Sequence, residues 1–232
     1  LIISASRATD IPAFYSGELM RHLEQGWVEK VNPFNGKPSW VSFARARLFV
    51  FWTKNPRPLM AHLETLDRRG LNYYFQFTLN NYEEEGLEPG LPPLGERIAT
   101  FIELSDRIGP DKVIWRFDPL ILTDTLDVDT LLKKLSAMGN LLNRYTRRLV
   151  FSFADIYDYA KVGRNLARAG IRPREFDEVE MRKLARGLME LNRNWGLEIK
   201  TCAETIPLSA CGIAHNRCVD DRLIAHLNRQ DK

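Results

Sequence analysis

Two oppositely charged residues, Arg116 and Asp118, lie two positions apart in the hydrophobic stretch Val113–Leu120. Side chains alternate between the two faces of a strand, so this pair shares one face while Trp115 and Phe117 share the other. A guanidinium can hold an anionic group with two hydrogen bonds, and a carboxylate of raised pKa can act as an acid or a base. The stretch therefore predicts a strand that ends in a catalytic or ligand-binding pair. The alternative is an internal ion pair that only fixes the fold.

Polar side chains also occupy one face or the exit of the other predicted strands. If those faces converge, their polar atoms must find partners, water or a ligand, which favours a wet site at the carboxyl ends of the strands. We predict catalytic roles for Arg116, Asp118, Glu204 and Lys54. We predict ligand- or cofactor-binding roles for Ser4, Ser6, Arg7, Asp10, Asn55, Gln76, Thr78, Asn80, Ser152 and Asp155. The alternative for the whole set is a polar core that is satisfied internally.

Hydrophobic stretches alternate with segments of helical periodicity along the chain. Strands are predicted at residues 1–5, 48–52, 73–79, 113–120, 149–153 and 197–201. Helices are predicted at about residues 16–25, 59–69, 96–108, 128–142, 177–195 and 221–227. This alternation predicts parallel βαβ units and a TIM-like (β/α) barrel, either complete or a partial six-stranded one, although periodicity does not distinguish a barrel from an open sheet.

A β-hairpin insertion is predicted near residues 27–43, with Asn35 and Gly36 in its turn. No shift in composition divides the chain, so residues 1–232 are predicted to form a single barrel domain. The exit of the first strand lacks the glycine-rich fingerprint of a dinucleotide-binding fold, and no phosphate-binding P-loop is present.

The composition is that of an ordinary soluble protein, with 232 residues, 44% hydrophobic content and a formal net charge of +3. This charge is too small to indicate nucleic acid, and no hydrophobic run is long enough to cross a membrane. No signal peptide is recognisable, and the odd number of cysteines indicates a reducing, cytoplasmic environment. The sequence specifies no oligomeric state.

The three cysteines are Cys202, Cys211 and Cys218, and their spacing matches no structural zinc pattern. Small buried side chains are the simplest interpretation. A metal site that includes Cys202 and Cys218 is kept as an alternative.

Many short motifs occur in an order that resembles an uncharacterised bacterial family, domain of unknown function family 1848. The motifs are Ser4–Arg7, Thr9–Tyr15, Asn32–Asn35, Phe51–Pro56, Tyr73–Leu79, Leu87–Pro89, Val113–Pro119, Ser152–Phe153 with Asp155, and Cys202–Glu204. The resemblance runs over nearly the whole chain.

The resemblance implies a cofactor class, because members of this family typically continue into a C-terminal cysteine cluster similar to that of radical S-adenosylmethionine enzymes. It thus implies a partial (β/α)6 barrel, an iron–sulfur cluster and S-adenosylmethionine, but no established reaction. This sequence departs from the family pattern at Ala8, where a second arginine is usual. It also stops at Lys232, before the expected cysteine cluster, so the cluster ligands are not in this chain.

Three functions are compatible with these observations. The first is an iron–sulfur, radical S-adenosylmethionine-like enzyme that acts on a small molecule with an anionic group. The second is a barrel hydrolase or lyase that uses carboxylates, with or without a divalent metal. The third is a non-catalytic module that binds a small anion.

Overall fold

The structure is a computed structural model, and it describes residues 1–6, 9–32, 35–156, 166, 170–202 and 206–230. The strands are β1 (Ile2–Ala5), β2 (Trp27–Val31), β3 (Pro38–Ser42), β4 (Leu48–Thr53), β5 (Asn72–Thr78), β6 (Val113–Leu120), β7 (Leu122–Thr123), β8 (Arg148–Phe153), β9 (Pro173–Arg174), β10 (Glu198–Thr201) and β11 (Ala214–His215). The helices are α1 (Ile11–Phe14), α2 (Ser16–Gln25), α3 (Arg57–Met60), α4 (Leu63–Arg68), α5 (Leu94–Ile108), α6 (Val128–Leu142), α7 (Glu178–Asn192) and α8 (Asp221–Gln230). A 3₁₀ turn covers Ser209–Cys211.

Seven strands form one sheet in the order β1-β4-β5-β6-β8-β10-β11. The described strand pairs of this sheet are parallel, which confirms the predicted α/β class. The sequence predicted six of these strands and missed β11, because two residues are too few to show alternation. Closure of the sheet into a TIM-like barrel stays a prediction.

The chain forms two compact units, one of residues 1–77 with 219–232 and the other of residues 78–218. The single domain predicted from the sequence stays a prediction. Within the described residues, no helix has both the length and the apolar character that a membrane span requires.

The first unit contains the parallel strands β1, β4 and β5, with Phe49, Phe51 and Phe75 fully buried between them and the covering helices. Strands β2 and β3 form the predicted antiparallel hairpin, in which Trp27 faces Ser42. The continuous helix predicted over residues 59–69 is wrong. It is split into α3 and α4 because the backbone leaves helical geometry at His62 (φ −107°, ψ 0°), although the buried apolar stripe continues across the break.

The second unit contains β6, β8, β10 and β11 with helices α5, α6 and α7. Helix α6 has the predicted bounds. Helix α7 lies within the helix predicted at about residues 177–195, and its N-cap Asp177 forms a capping box with Glu180. Helices α6 and α7 pack together. The ring of Trp195, just after α7, lies against Gly139 of α6, and its Nε1 donates a hydrogen bond to Asn140 Oδ1 at 2.9 Å.

We predict that Gly139→Ala destabilises the protein by about 1–3 kcal/mol, because the new methyl group would lie 2.2 Å from Trp195 Cζ2 and a rigid ring cannot yield by a rotamer change. The matched control is Gly95→Ala in α5, where nothing lies within 4 Å of the added Cβ, and it is expected to be neutral or to stabilise by up to about 1 kcal/mol. Chemical denaturation of both variants measures the difference. Equal stabilities would show that α6 does not pack against Trp195 in this way.

Candidate functional site

The candidate site of the second unit is built on Arg116 and Asp118 at the carboxyl end of β6. Arg116 Nε donates to Asp118 Oδ2 at 3.0 Å, and Arg116 Nη2 donates to the same oxygen. Ser152 of β8 donates its hydroxyl proton to the other carboxylate oxygen, Oδ1. The Arg116 side chain is 5% exposed and that of Asp118 is 25% exposed. The Asp118 side chain is therefore partly open to solvent, whereas the Arg116 side chain is almost fully buried.

The pKa of Arg116 depends both on its burial and on its charged neighbours. Burial alone would lower the pKa of this guanidinium, but the Asp118 carboxylate and hydrogen bonds to Cys202 and Asp118 outweigh burial and raise the pKa. Arg116 thus stays a cation whose charge is balanced locally.

The pairing of β6 with β8 places Asp118 next to Ser152. The register is regular as far as Phe117, opposite Phe151, so the next residues along the two strands are Asp118 and Ser152. The next pair is Leu120 with Phe153, so β6 has one extra residue between Phe117 and Leu120. Regular pairing as far as Phe117 therefore explains why Asp118 meets Ser152.

Asn80, which follows β5, holds the backbone of Asp118 from both sides. Its Oδ1 accepts from Asp118 N at 2.9 Å, and its Nδ2 donates to Asp118 O at 3.3 Å. The same Nδ2 donates to Glu88 Oε1 at 3.1 Å, and Glu88 pairs with Arg97 at 3.4 Å, both side chains being buried. Arg97 in turn donates to Asn80 O at 3.1 Å. The buried Arg97–Glu88 ion pair therefore fixes the position of Asn80, and Asn80 fixes the backbone of Asp118.

Tyr82 holds the chain just beyond Asp118. Its hydroxyl donates to Pro119 O at 2.9 Å and accepts from Ile121 N at 3.0 Å. Burial raises the pKa of Tyr82 well above its ordinary value, and the nearby carboxylates of Glu88, Glu85 and Asp118 act in the same direction. Tyr82 therefore remains a neutral hydrogen-bonding group at ordinary pH.

The exits of β10 and β11 bring two cysteines together. The sulfurs of Cys202 and Cys218 lie 3.9 Å apart, and Cys202 also hydrogen-bonds the Arg116 side chain. Burial raises the pKa of the Cys202 thiol, although the guanidinium of Arg116 opposes this shift. Nearby, Asn216 N donates to Thr201 O at 2.6 Å, while both polar atoms of the Asn216 side chain are buried and have no hydrogen-bond partner among the residues that the structure describes.

Predicted site residues of the first unit form a separate network at the exits of β1 and β4. Asp10 caps α1 through Ala13 N and accepts from Thr53 Oγ1 at 3.0 Å and from Lys54 N at 2.8 Å. Asn55 Oδ1 accepts from Arg57 N at 3.2 Å. These contacts fasten the two exit loops, so Asp10 and Asn55 have a structural role, and their predicted role in binding a cofactor stays a prediction.

Ser4 and Ser6 line a cavity of about 600 Å³ in the first unit, bounded by β1, α2 and the β2–β3 hairpin. The residues that line this cavity are mainly apolar, among them Ile3, Leu19 and Phe43. Gln76 is fully buried in β5.

The structure thus brings together Arg116, Asp118, Ser152, Asn80, Cys202 and Cys218 in the second unit. Thr78 is half-buried and Asp155 is exposed in that unit, while Lys54 belongs to the first unit. Glu204 and Arg7 lie outside the described residues. Sequence reasoning did not assign Tyr82, Arg97 or Asn216. An aromatic residue directly after the exit Asn80-Asn81 was a usable signal for Tyr82, whereas no pattern distinguished Arg97 from a solvent-exposed arginine of α5.

The iron–sulfur cluster that the resemblance implies requires about four thiolate ligands. In the described part of the chain only two cysteine sulfurs meet, and no group of three histidine, cysteine, aspartate or glutamate side chains is placed to hold a metal. The described residues therefore do not fit such a cluster.

A comparison with models of known protein families gives a match over nearly the whole chain. A model of the family described as Domain of unknown function (DUF1848) matches residues 2–232, which is the family that the sequence motifs indicated. Neither a curated protein nor a solved structure matches the sequence.

We predict that Tyr82→Phe destabilises the protein by about 1–3 kcal/mol, because Pro119 O and Ile121 N would lose their buried partner. The effect also depends on pH. The pKa of Tyr82 is higher in the folded than in the unfolded protein. Its contribution to the free energy of unfolding is therefore complete at pH values below the unfolded pKa of about 10, and it is lost as the pH rises above that value.

Denaturation at neutral pH and at pH values above 10 measures both effects. The Phe variant should lose less stability than the wild type on going to alkaline pH. The control is Tyr15→Phe, whose side chain is 46% exposed and which should behave like the wild type. If Tyr82→Phe left the free energy of unfolding unchanged, this result would contradict the assigned hydrogen bonds.

Proposed function

The chain belongs to the DUF1848 family, and we propose that it is an enzyme that acts on a small polar molecule by acid–base chemistry, of the hydrolase or lyase type. The observation that carries this proposal is Asp118, a partly exposed carboxylate held from behind by the buried Arg116 and from the side by Ser152. A carboxylate fixed in this way is arranged to receive a hydrogen bond or a proton from a ligand.

The exposures of the Arg116 and Asp118 side chains indicate which of the two groups meets the ligand. Two N–H groups of Arg116 are already directed at Asp118, and a further hydrogen bond goes to Cys202. The ligand therefore meets Asp118 first, which favours a molecule with hydroxyl or amine donors. The anionic group expected from the sequence stays a prediction, since the described hydrogen bonds of Arg116 go to Asp118 and Cys202.

The surrounding residues have positioning roles in this proposal. Ser152 fixes the rotation of the Asp118 carboxylate by donating to Oδ1, and Asn80 fixes its backbone. Arg116 balances the charge of Asp118 at a place where the carboxylate is only partly exposed. Lys54 belongs to the first unit and Glu204 lies outside the described residues, so their catalytic roles stay predictions.

The place of the site in the fold supports the same proposal. Ligands of α/β proteins bind beyond the carboxyl ends of parallel strands, and Asp118, Ser152 and Cys202 stand at the ends of β6, β8 and β10. A TIM-like barrel is part of the proposal, supported by parallel strands that alternate with helices and by the family resemblance. Iron–sulfur and radical S-adenosylmethionine chemistry rests on the resemblance alone and stays a prediction.

The proposal is tested with a panel of sugars, polyols, hydroxy acids and amino alcohols at millimolar concentration. We expect at least one compound to raise the melting temperature of the wild type and to change in mass on prolonged incubation. Asp118→Asn should weaken binding of that compound about tenfold, because a charge-assisted hydrogen bond becomes a neutral one, and should abolish its turnover.

The matched control is Asp129→Asn, which removes an exposed carboxylate paired with Lys183 at the surface and should leave binding and turnover unchanged. Equal binding and turnover by wild type and Asp118→Asn would overturn the proposal. A compound that binds at Asp118 and is recovered unchanged would instead support a non-catalytic binding module.

A further inference from the structure

Two cysteines that are 16 residues apart in the sequence meet in the second unit. Cys202 follows β10 directly, and its N–H donates to Phe151 O at 2.8 Å. Cys218 lies three residues after β11, whose His215 is the parallel partner of Thr201. The two strand exits therefore leave the sheet side by side, and the sulfurs lie 3.9 Å apart.

We propose that Cys202 and Cys218 together bind a single thiophilic divalent cation, of which Zn²⁺ is the representative. The proposal does not depend on the acid–base chemistry proposed above. It also differs from the iron–sulfur cluster that the family resemblance implies, since it requires only two protein thiolates and one ion.

The distance between the sulfurs fits such an ion. Two thiolates at about 2.3 Å from a tetrahedral Zn²⁺ are separated by about 3.8 Å. A disulfide would require a separation of about 2.05 Å, and thus a side-chain movement. The observed 3.9 Å is close to the separation that a shared ion requires.

The charges around the sulfurs favour a divalent ion over a monovalent one. Cys202 is within electrostatic range of Cys218, Asp118 and Arg116. When a metal displaces both thiol protons, two thiolates and one carboxylate face a single guanidinium, which leaves two negative charges. A divalent cation cancels them.

The surroundings leave room for ligands that are not protein atoms. No third histidine, cysteine, aspartate or glutamate of the described residues joins the pair, and Cys218 is exposed while Cys202 is half-buried. Two protein thiolates leave the other positions of a tetrahedral ion to water or substrate, and this is one protein ligand fewer than catalytic zinc sites have. Among the described residues, the buried side-chain amide of Asn216, two residues before Cys218, has no hydrogen-bond partner, and a metal-bound water is a suitable partner for it.

The test is a metal titration of the purified chain after removal of metals with a chelator under reducing conditions. Cd²⁺ is followed by the thiolate-to-metal charge-transfer absorbance, and Zn²⁺ by competition with a coloured chelator. We expect one ion per chain and a rise in melting temperature on binding. Cys202→Ser and Cys218→Ser should each weaken binding at least tenfold and reduce the charge-transfer band.

Cys211→Ser is the matched control, because Cys211 lies in the 3₁₀ turn and belongs to no group of metal ligands among the described residues. It should bind Cd²⁺ and Zn²⁺ as the wild type does, and circular dichroism checks that all three variants are folded. Absence of binding to the wild type, or binding that survives loss of Cys202 or Cys218, would overturn the proposal. Binding of iron and sulfide together, with no affinity for Zn²⁺ alone, would also overturn it in favour of a cluster.

Discussion

The site of the second unit depends on the desolvated charge of Arg116. An arginine whose side chain is only 5% exposed is costly unless a counter-charge and hydrogen bonds accompany it, and Asp118 supplies both from only two residues away. In a regular strand two such side chains stand side by side on one face. The register of β6 with β8 continues from Phe117 and Phe151 to Asp118 and Ser152, so the carboxylate meets the guanidinium and the serine hydroxyl at the same time.

The groups that hold the end of β6 in place are largely buried. Asn80 hydrogen-bonds the backbone of Asp118, and the Arg97–Glu88 pair hydrogen-bonds Asn80. Tyr82 hydrogen-bonds Pro119 O and Ile121 N just beyond Asp118. Each of these contacts would cost stability if one partner were lost, because the other would remain buried and unsatisfied. The result is a carboxylate with little freedom to move, which is the form of preorganisation that acid–base chemistry and specific binding require.

The sequence predicted the parts of this arrangement that follow from local patterns. The bounds of β6, its division into an aromatic and a charged face, and the bounds of helix α6 follow from alternation and helical periodicity. The expected convergence of the polar strand faces also placed Ser152 in one site with Arg116 and Asp118. The break at His62 was missed because the apolar stripe of α3 and α4 continues through it. The Cys202–Cys218 contact and the burial of Arg97 depend on which chain segments become neighbours in space, and no local pattern carries that information.

The central claim is that Arg116 and Asp118 act as one unit, and a double-mutant cycle with Arg116→Met, Asp118→Asn and the double variant tests it most directly. The free energy of unfolding of the four proteins should give a coupling energy of about 1–3 kcal/mol, because each single substitution leaves a charge or a dipole without its partner and the double substitution removes both. Additive effects, within about 0.5 kcal/mol, would show that the two side chains do not depend on one another and would contradict the account.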